Sequence, residues 1–159
     1  MTGKVQPINF EGCSIGFRNF AGEPGPYNDK GDRSFVIFLE DHEAAHNLEA
    51  EGWGVKWPKE VDGISPDEDT RNPYLPVKVA FNQYPPKIVC ITIGADGEQH
   101  HEFMDEETIG ELDWMQFDNV DVVVRPYSWT VQGKSGIKAY CNQLYVTLAQ
   151  VGFESKYGF

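Results

Sequence analysis

Short stretches of the chain alternate between apolar and polar positions, and Gly, Pro, Asn and Asp bound most of them. This is the pattern of half-buried strands joined by turns. Ile8 to Phe20 reads as one extended run, and GEPGPYNDKGD from Gly22 to Asp32 as turn. Ser34 to Leu39 is a short apolar strand. DHEAAHNLEAEG then switches to helical spacing, with Ala44, Ala45 and Leu48 on one stripe, until Gly52 stops it. GWGVKW alternates again, placing Trp53, Val55 and Trp57 on one face and Lys56 on the other. The Pro- and acid-rich stretch 58–73 predicts a mobile loop. Tyr74 to Phe81 and Lys87 to Ile93 flank NQYPP and predict a hairpin with a Pro-stiffened turn. Gly94 to Gly97 turns into a short strand from Gln99 to Phe103, and DEETIGELDW predicts a helix capped by Asp105. A long hairpin from Val122 to Ala149, with its tip at Gly133 to Gly136, closes the chain. About seven strands and two short helices predict a mainly β domain, a small and strongly curved β-barrel decorated by helices.

Composition narrows this reading. At 159 residues and 40% hydrophobic the chain suits one domain over residues 1–159 with a core of its own. No apolar run approaches the ~18 residues of a membrane span, and MTGKVQPINF lacks a signal peptide's apolar stretch, which predicts a soluble cytosolic protein. Cys13, Cys90 and Cys141 are odd in number and lack metal spacing, so buried free thiols are expected. The net charge of −12 argues against a nucleic-acid partner until its distribution is considered. Glu98 to Asp121 holds nine acids and no Lys or Arg, whereas Thr70 to Ala95 and Val122 to Phe153 hold none. The acid-free segments are the strand-like ones, and they carry spaced cations among aromatics, as a groove for one nucleic-acid strand requires. Acids are also poor strand formers, so segregation alone does not decide the matter.

Two motifs invite an enzymatic reading, and neither has the context it needs. Gly133-Lys134-Ser135 resembles the end of a phosphate-binding loop, but Ser128 stands where the first glycine belongs. Ile137 to Leu148 behind it reads as a strand instead of a helix. His42-Glu43-Ala44-Ala45-His46 matches the zinc-binding H-E-x-x-H. The stretch before it reads as a strand, and its histidines fall on the water-facing flank of the predicted helix, where no shell of side chains would orient them. No metal or cofactor is expected. No nucleophile elbow or paired acid and base emerges, which points away from an enzyme.

FRNFAG at Phe17 to Gly22, DRSFVIFLED, EGWGVKW, YLPVKVAF and VVVRPYSWTVQGKSGIKAYCNQLYVTL together resemble a group of phage single-stranded DNA-binding proteins with an OB-fold-like barrel. The resemblance spans about Ile15 to Leu148. It implies a phage replication or recombination protein that coats exposed single strands without chemistry in the host cytoplasm. Phage replication or recombination proteins are the implied partners, and self-association is left open. Such proteins often end in an acidic tail with a terminal aromatic, whereas this chain ends FESKYGF, which puts docking through a tail in doubt.

Given the resemblance, Val123 to Val131 presents Arg125, Tyr127 and Trp129 in a row on one face, a cation and two rings suited to phosphate and to consecutive bases. Lys138 and Tyr140 share a parity on the return strand, but the same parity later carries Leu144, Val146 and Leu148 inward. A twist or bulge must intervene if both are to bind. Phe20, Trp53 and Phe81 are further stacking candidates, and Arg18, Lys56, Lys78 and Lys134 are the expected backbone contacts. The rival readings are an interaction or virion-assembly protein that docks another protein on its aromatic face, and the zinc hydrolase.

Overall fold

The computed structural model describes residues 5–26, 28–59, 62, 63, 71–82 and 84–149. Most of the predicted acidic loop and the FESKYGF end lie outside them. Eight strands form one antiparallel-rich sheet: β1 (Ile8–Phe10), β2 (Ser14–Asn19), β3 (Arg33–Phe38), β4 (Tyr74–Val79), β5 (Lys87–Ile93), β6 (Gln99–Met104), β7 (Phe117–Val131) and β8 (Lys134–Leu148). The helix α1 (His42–Glu51) lies between β3 and β4, and a 3₁₀ helix (Ile109–Trp114) between β6 and β7. The path runs β1-β7-β8-β4-β3-β2, with β5 and β6 continuing from β8 off this path. Its two ends, β1 and β2, are consecutive in the chain and separated only by residues 11–13. The sheet must therefore curl on itself, although no ladder joins β1 to β2. The expected Ile8–Phe20 run is thus two strands, broken where Gly12 takes φ +58.

The hairpin expected across NQYPP does not form. β4 and β5 both run parallel to β8, β4 beside Ala139 and Tyr140 and β5 beside Gln143 to Thr147. They lie end to end along one edge of the same long strand. Two prolines in the connection deny it N–H donors. Each strand then finds its outer partner elsewhere, β4 in β3 and β5 in β6.

The closing hairpin is longer than the pattern predicts, with 15 residues in each strand. Its tip is the pair Gln132-Gly133, at φ 50 and 78, between the cross-strand partners Val131 and Lys134. Two residues at positive φ are what a tight hairpin turn with the twist of its strands demands. Gly136, expected in the turn, is instead a strand residue opposite Trp129. Further down the ribbon Val123 pairs with Gln143 but Val124 with Cys141, so Asn142 is the extra residue of a bulge. The bulge switches the buried parity of β8 from Ile137, Ala139 and Cys141 to Leu144 and Val146. These side chains pack with Phe20, Phe35, Ile37, Leu75, Val77 and Trp53 into one core.

Asp41 caps α1 by accepting from the Ala44 N–H at 3.1 Å, and Gly52 ends it in the left-handed region at φ 109. Only Ala45 of its apolar stripe is buried; Ala44 faces water. Asp105 is not a helix cap as expected. Its carboxylate binds Thr108 and the N–H groups of Glu107 and Thr108 in a turn that precedes the 3₁₀ helix.

The three cysteines are free thiols, Cys90 and Cys141 buried and Cys13 half-buried. Burial pushes the Cys141 thiol from 9.0 up to about 12, with Arg125 pulling the other way, and burial raises Cys13 to about 11. The folded state therefore keeps protons that the unfolded chain releases above pH 9. Their contribution to stability is full below that pH and is lost as pH climbs towards 11 and 12. Urea denaturation of the Cys141→Ala variant should show a flatter decline in stability above pH 9 than the parent. An unchanged alkaline limb would show that this thiol titrates alike in both states.

Candidate nucleic-acid interface

Because Val122 and Val124 of β7 and Ile137, Ala139 and Cys141 of β8 enter the core, Arg125, Tyr127, Trp129, Lys138 and Tyr140 share the outer face of the ribbon. The register sets Arg125 opposite Tyr140, Tyr127 opposite Lys138 and Trp129 opposite Gly136. On the next strands Tyr140 pairs with Lys78, and Lys78 with Ser34. A single row thus crosses four strands as Arg125, Tyr140, Lys78 and Ser34. β4 and β8 pair only at Val77–Lys78, and the residues after α1 fill the gap beyond. Trp53 bridges to Ile137 on one side and Lys56 to Tyr74 on the other.

These elements enclose an open groove of about 700 Å³. Lys56, Lys78, Tyr127, Trp129, Lys138 and Tyr140 line it, together with Asn28, Asp32 and Arg33. Tyr127 is 52% and Trp129 38% exposed, far more than packing in a core would leave. The Tyr127 and Tyr140 rings meet edge to face with centroids 5.7 Å apart. The Trp129 indole lies over Gly136, where an added Cβ would stand 2.8 Å from Cζ2. Arg125 sits between two rings, its guanidinium carbon 4.9 Å from the centre of Tyr140 and 5.3 Å from that of Tyr84.

The electrostatics of the groove oppose those of the whole chain. Its lining holds four cations, Arg33, Lys56, Lys78 and Lys138, against one carboxylate, Asp32. Arg33 is shared with Glu106 at 3.4 Å. Among the described residues no carboxylate pairs with Lys56, Lys78, Lys138 or Arg125. Unneutralised cations beside exposed rings can bind a polyanion and stack its bases.

The model of the family described as "Putative phage ssDNA-binding domain" matches residues 2–158. The chain belongs to this family. Among solved structures, the single-stranded DNA-binding protein of bacteriophage Enc34 in a C-terminally truncated form superposes with a TM-score of 0.53 at 13% identity, covering 96% of this chain and 95% of that one. The same phage protein in complex with ssDNA gives 0.52 at 13% identity, with 96% of each chain covered. These likenesses establish an OB-fold-like architecture for this family member, as the resemblance implies, with the sheet left open between β1 and β2 instead of closed into a barrel. No curated protein matches the chain by sequence.

Within this phage ssDNA-binding domain the predicted residues divide. The groove brings together Lys56, Lys78, Tyr127, Trp129, Lys138 and Tyr140, with Arg125 stacked behind Tyr140. Phe20 and Trp53 are core residues, 0% and 2% exposed, and have no face to offer a base. Arg18 lies elsewhere, its Nη1 donating to the carbonyls of Leu112 and Met115 at 2.9 and 2.7 Å, at the end of the 3₁₀ helix. Phe81 packs against the core beside a second hollow that shares Arg33 and Lys78 with the groove. Lys134 is exposed as the first residue of β8, opposite Val131 instead of within the turn. Arg33 and Tyr84 were not among the predicted residues. A cation in the acid-poor SFVIF strand region and a tyrosine in NQYPP were the available signals, and only the parallel placing of β4 and β5 brings them to this side. In the H-E-x-x-H segment, the His46 ring stacks on Trp57 at 4.4 Å, and His42 meets the same indole edge-on and Asn72 at 3.1 Å.

The contact between Trp129 and Gly136 generates a direct test. Gly136→Ala should cost about 1–3 kcal/mol of stability by overpacking against the indole. In a Trp129→Ala background the cost should vanish, which a double-mutant cycle by urea denaturation measures. Equal costs in both backgrounds would show that the indole does not occupy that space.

Proposed function

We propose that the groove across β7, β8, β4 and β3 is where this family member holds single-stranded DNA. The observation that carries the reading is the coincidence, on one face, of exposed Tyr127 and Trp129 with Lys56, Lys78, Lys138 and Arg125, none of which a described carboxylate neutralises. Rings stack on bases of any identity and the cations follow the backbone, so binding is largely indifferent to sequence. The groove's open form, with rings lying in its floor, favours unpaired bases over a duplex whose bases are already stacked. Tyr127 and Trp129 act as platforms, Lys56, Lys78 and Lys138 as phosphate contacts, and Lys134 as an outlying cation at the hairpin end. Arg125, clamped between Tyr140 and Tyr84, stiffens the platform and adds positive potential.

The whole chain then acts as one DNA-binding domain that protects exposed strands without catalysis, in phage replication or recombination within the host cytoplasm. Proteins of those processes are its expected partners. No described helix is long and apolar enough to cross a membrane.

Titration of fluorescent oligo(dT) against a duplex of equal length tests this reading. Oligo(dT) should bind more tightly, and with about four phosphates neutralised the slope of log affinity against log salt should be near −3, at roughly −0.7 per contact. Equal affinity for duplex, or a slope near zero, would remove the groove from consideration and favour a protein-docking face. Trp129→Ala should cost roughly 1–3 kcal/mol of binding with the salt slope unchanged. Lys138→Ala should lower the slope by about 0.7, one phosphate contact.

A further inference from the structure

The outer face of the sheet continues past the groove. β4 sends Leu75, Val77 and Val79 into the core, so Tyr74, Pro76 and Lys78 share the opposite face. Their partners on β3 are Phe38, Val36 and Ser34 respectively. Lys78 and Pro76 line the groove. One step further along the same face stand Tyr74 and Phe38, with ring centroids 6.2 Å apart. Phe17 of β2 completes a triad, 5.6 Å from Tyr74 and 6.0 Å from Phe38.

Three features of this triad are costly for folding alone. Phe17 is held at φ 46, where a bulky side chain is strained, in the stretch where the register of β2 on β3 shifts between Gly16 and Asn19. Its ring is nevertheless 69% exposed. Phe38 needs a glycine beside it, since a Cβ on Gly16 would stand 2.5 Å from its Cε2. Strain is thus spent to hold a ring out in water instead of burying it. Lys56 connects the two regions. It lines the groove, and it lies directly opposite Tyr74, to which it is joined by backbone hydrogen bonds of 2.8 and 2.9 Å. Residues opposite each other in an antiparallel bridge present their side chains on one face, so a cation stands beside the triad as others stand beside Trp129.

We infer that Phe17, Phe38 and Tyr74 form a second base-stacking station on the same single-strand path, with Lys56 holding the phosphate between the two. This rests on the groove reading above. The occupant is the continuing DNA strand because the triad is continuous with the groove along β4 and its flanking side chain is a cation shared with it. Tyr74 and Lys78 are four steps apart along β4, or ~13 Å at ~3.3 Å per step. A strand that engages both stations must therefore be longer than one that fills the groove alone.

The test measures binding of oligo(dT) of graded length to the parent protein and to Phe17→Ala and Trp129→Ala, each checked for folding by circular dichroism. Trp129→Ala should weaken every length. Phe17→Ala should leave the shortest bound oligonucleotides unchanged and weaken longer ones by about 5- to 150-fold, the loss of one stacked base. If folded Phe17→Ala binds every length as the parent does while Trp129→Ala is impaired, the second station is wrong and the groove stands. If neither substitution matters, both fall. A change in sedimentation of Phe17→Ala without any change in DNA binding would make the triad an interface between copies and overturn the proposal. Should Phe17→Ala fail to fold, photocrosslinking of 5-iodouracil oligonucleotides to the parent protein decides. Adducts at Phe17, Phe38 or Tyr74 support the station, and adducts confined to the groove-lining residues of β7, β8 and β4 overturn it.

Discussion

The fold depends on one long ribbon that must serve two neighbours along a single edge. β8 is bordered by β7 along its whole length, while on its other side it takes β4 first and β5 further along. An unbroken strand with this sequence could not feed one core throughout, because side chains alternate strictly between faces and its apolar residues change parity midway. The bulge at Asn142 resolves the conflict by adding one residue, so that Ile137, Ala139 and Cys141 and then Leu144 and Val146 all point inward. Without it, Gln143, Tyr145 and Thr147 would enter the core and bury polar groups. The same bulge leaves Lys138 and Tyr140 facing outward beside Arg125 and Tyr127. The device that completes the core therefore also assembles the platform.

Charge segregation gives that platform its sign. The chain carries −12 overall, yet the groove lining holds four cations against one carboxylate. Local potential within reach of a screening length governs what a groove attracts, and at physiological salt that length is about 8 Å. Acids gathered mainly in helices and connectors therefore repel polyanions elsewhere without cancelling the groove. The aromatic residues follow a related economy. Phe20, Phe35 and Trp53 fill the core, whereas Tyr127, Trp129, Phe17 and Tyr84 remain exposed, although phenylalanine and tryptophan occur in both sets. Gly136 and Gly16 make room for Trp129 and Phe38, and at neither position would a larger residue fit without moving a ring.

The sequence by itself determined much of this. A period of two, turn residues at the right intervals and one short helical segment are local properties, and they sufficed for the mainly β class and nearly every element. The outward row of Arg125, Tyr127 and Trp129 was equally legible, since alternation fixes which residues share a face once one face is known to be apolar. Lys138 and Tyr140 were legible with their contradiction, because a strand whose buried parity changes midway has to contain a bulge. What only the tertiary structure decided was pairing between distant segments. Local pattern cannot tell a hairpin at NQYPP from two strands laid end to end along β8, because both satisfy the same alternation and differ only in which backbone groups meet. Nor can it separate an aromatic that stacks on solvent-exposed ligands from one that fills a core. Trp53 is chemically the same residue as Trp129 and Phe20 is an aromatic of the same kind, and only the packing of the 3₁₀ helix, β3 and α1 around them shows which rings are withdrawn from water and which the fold leaves exposed.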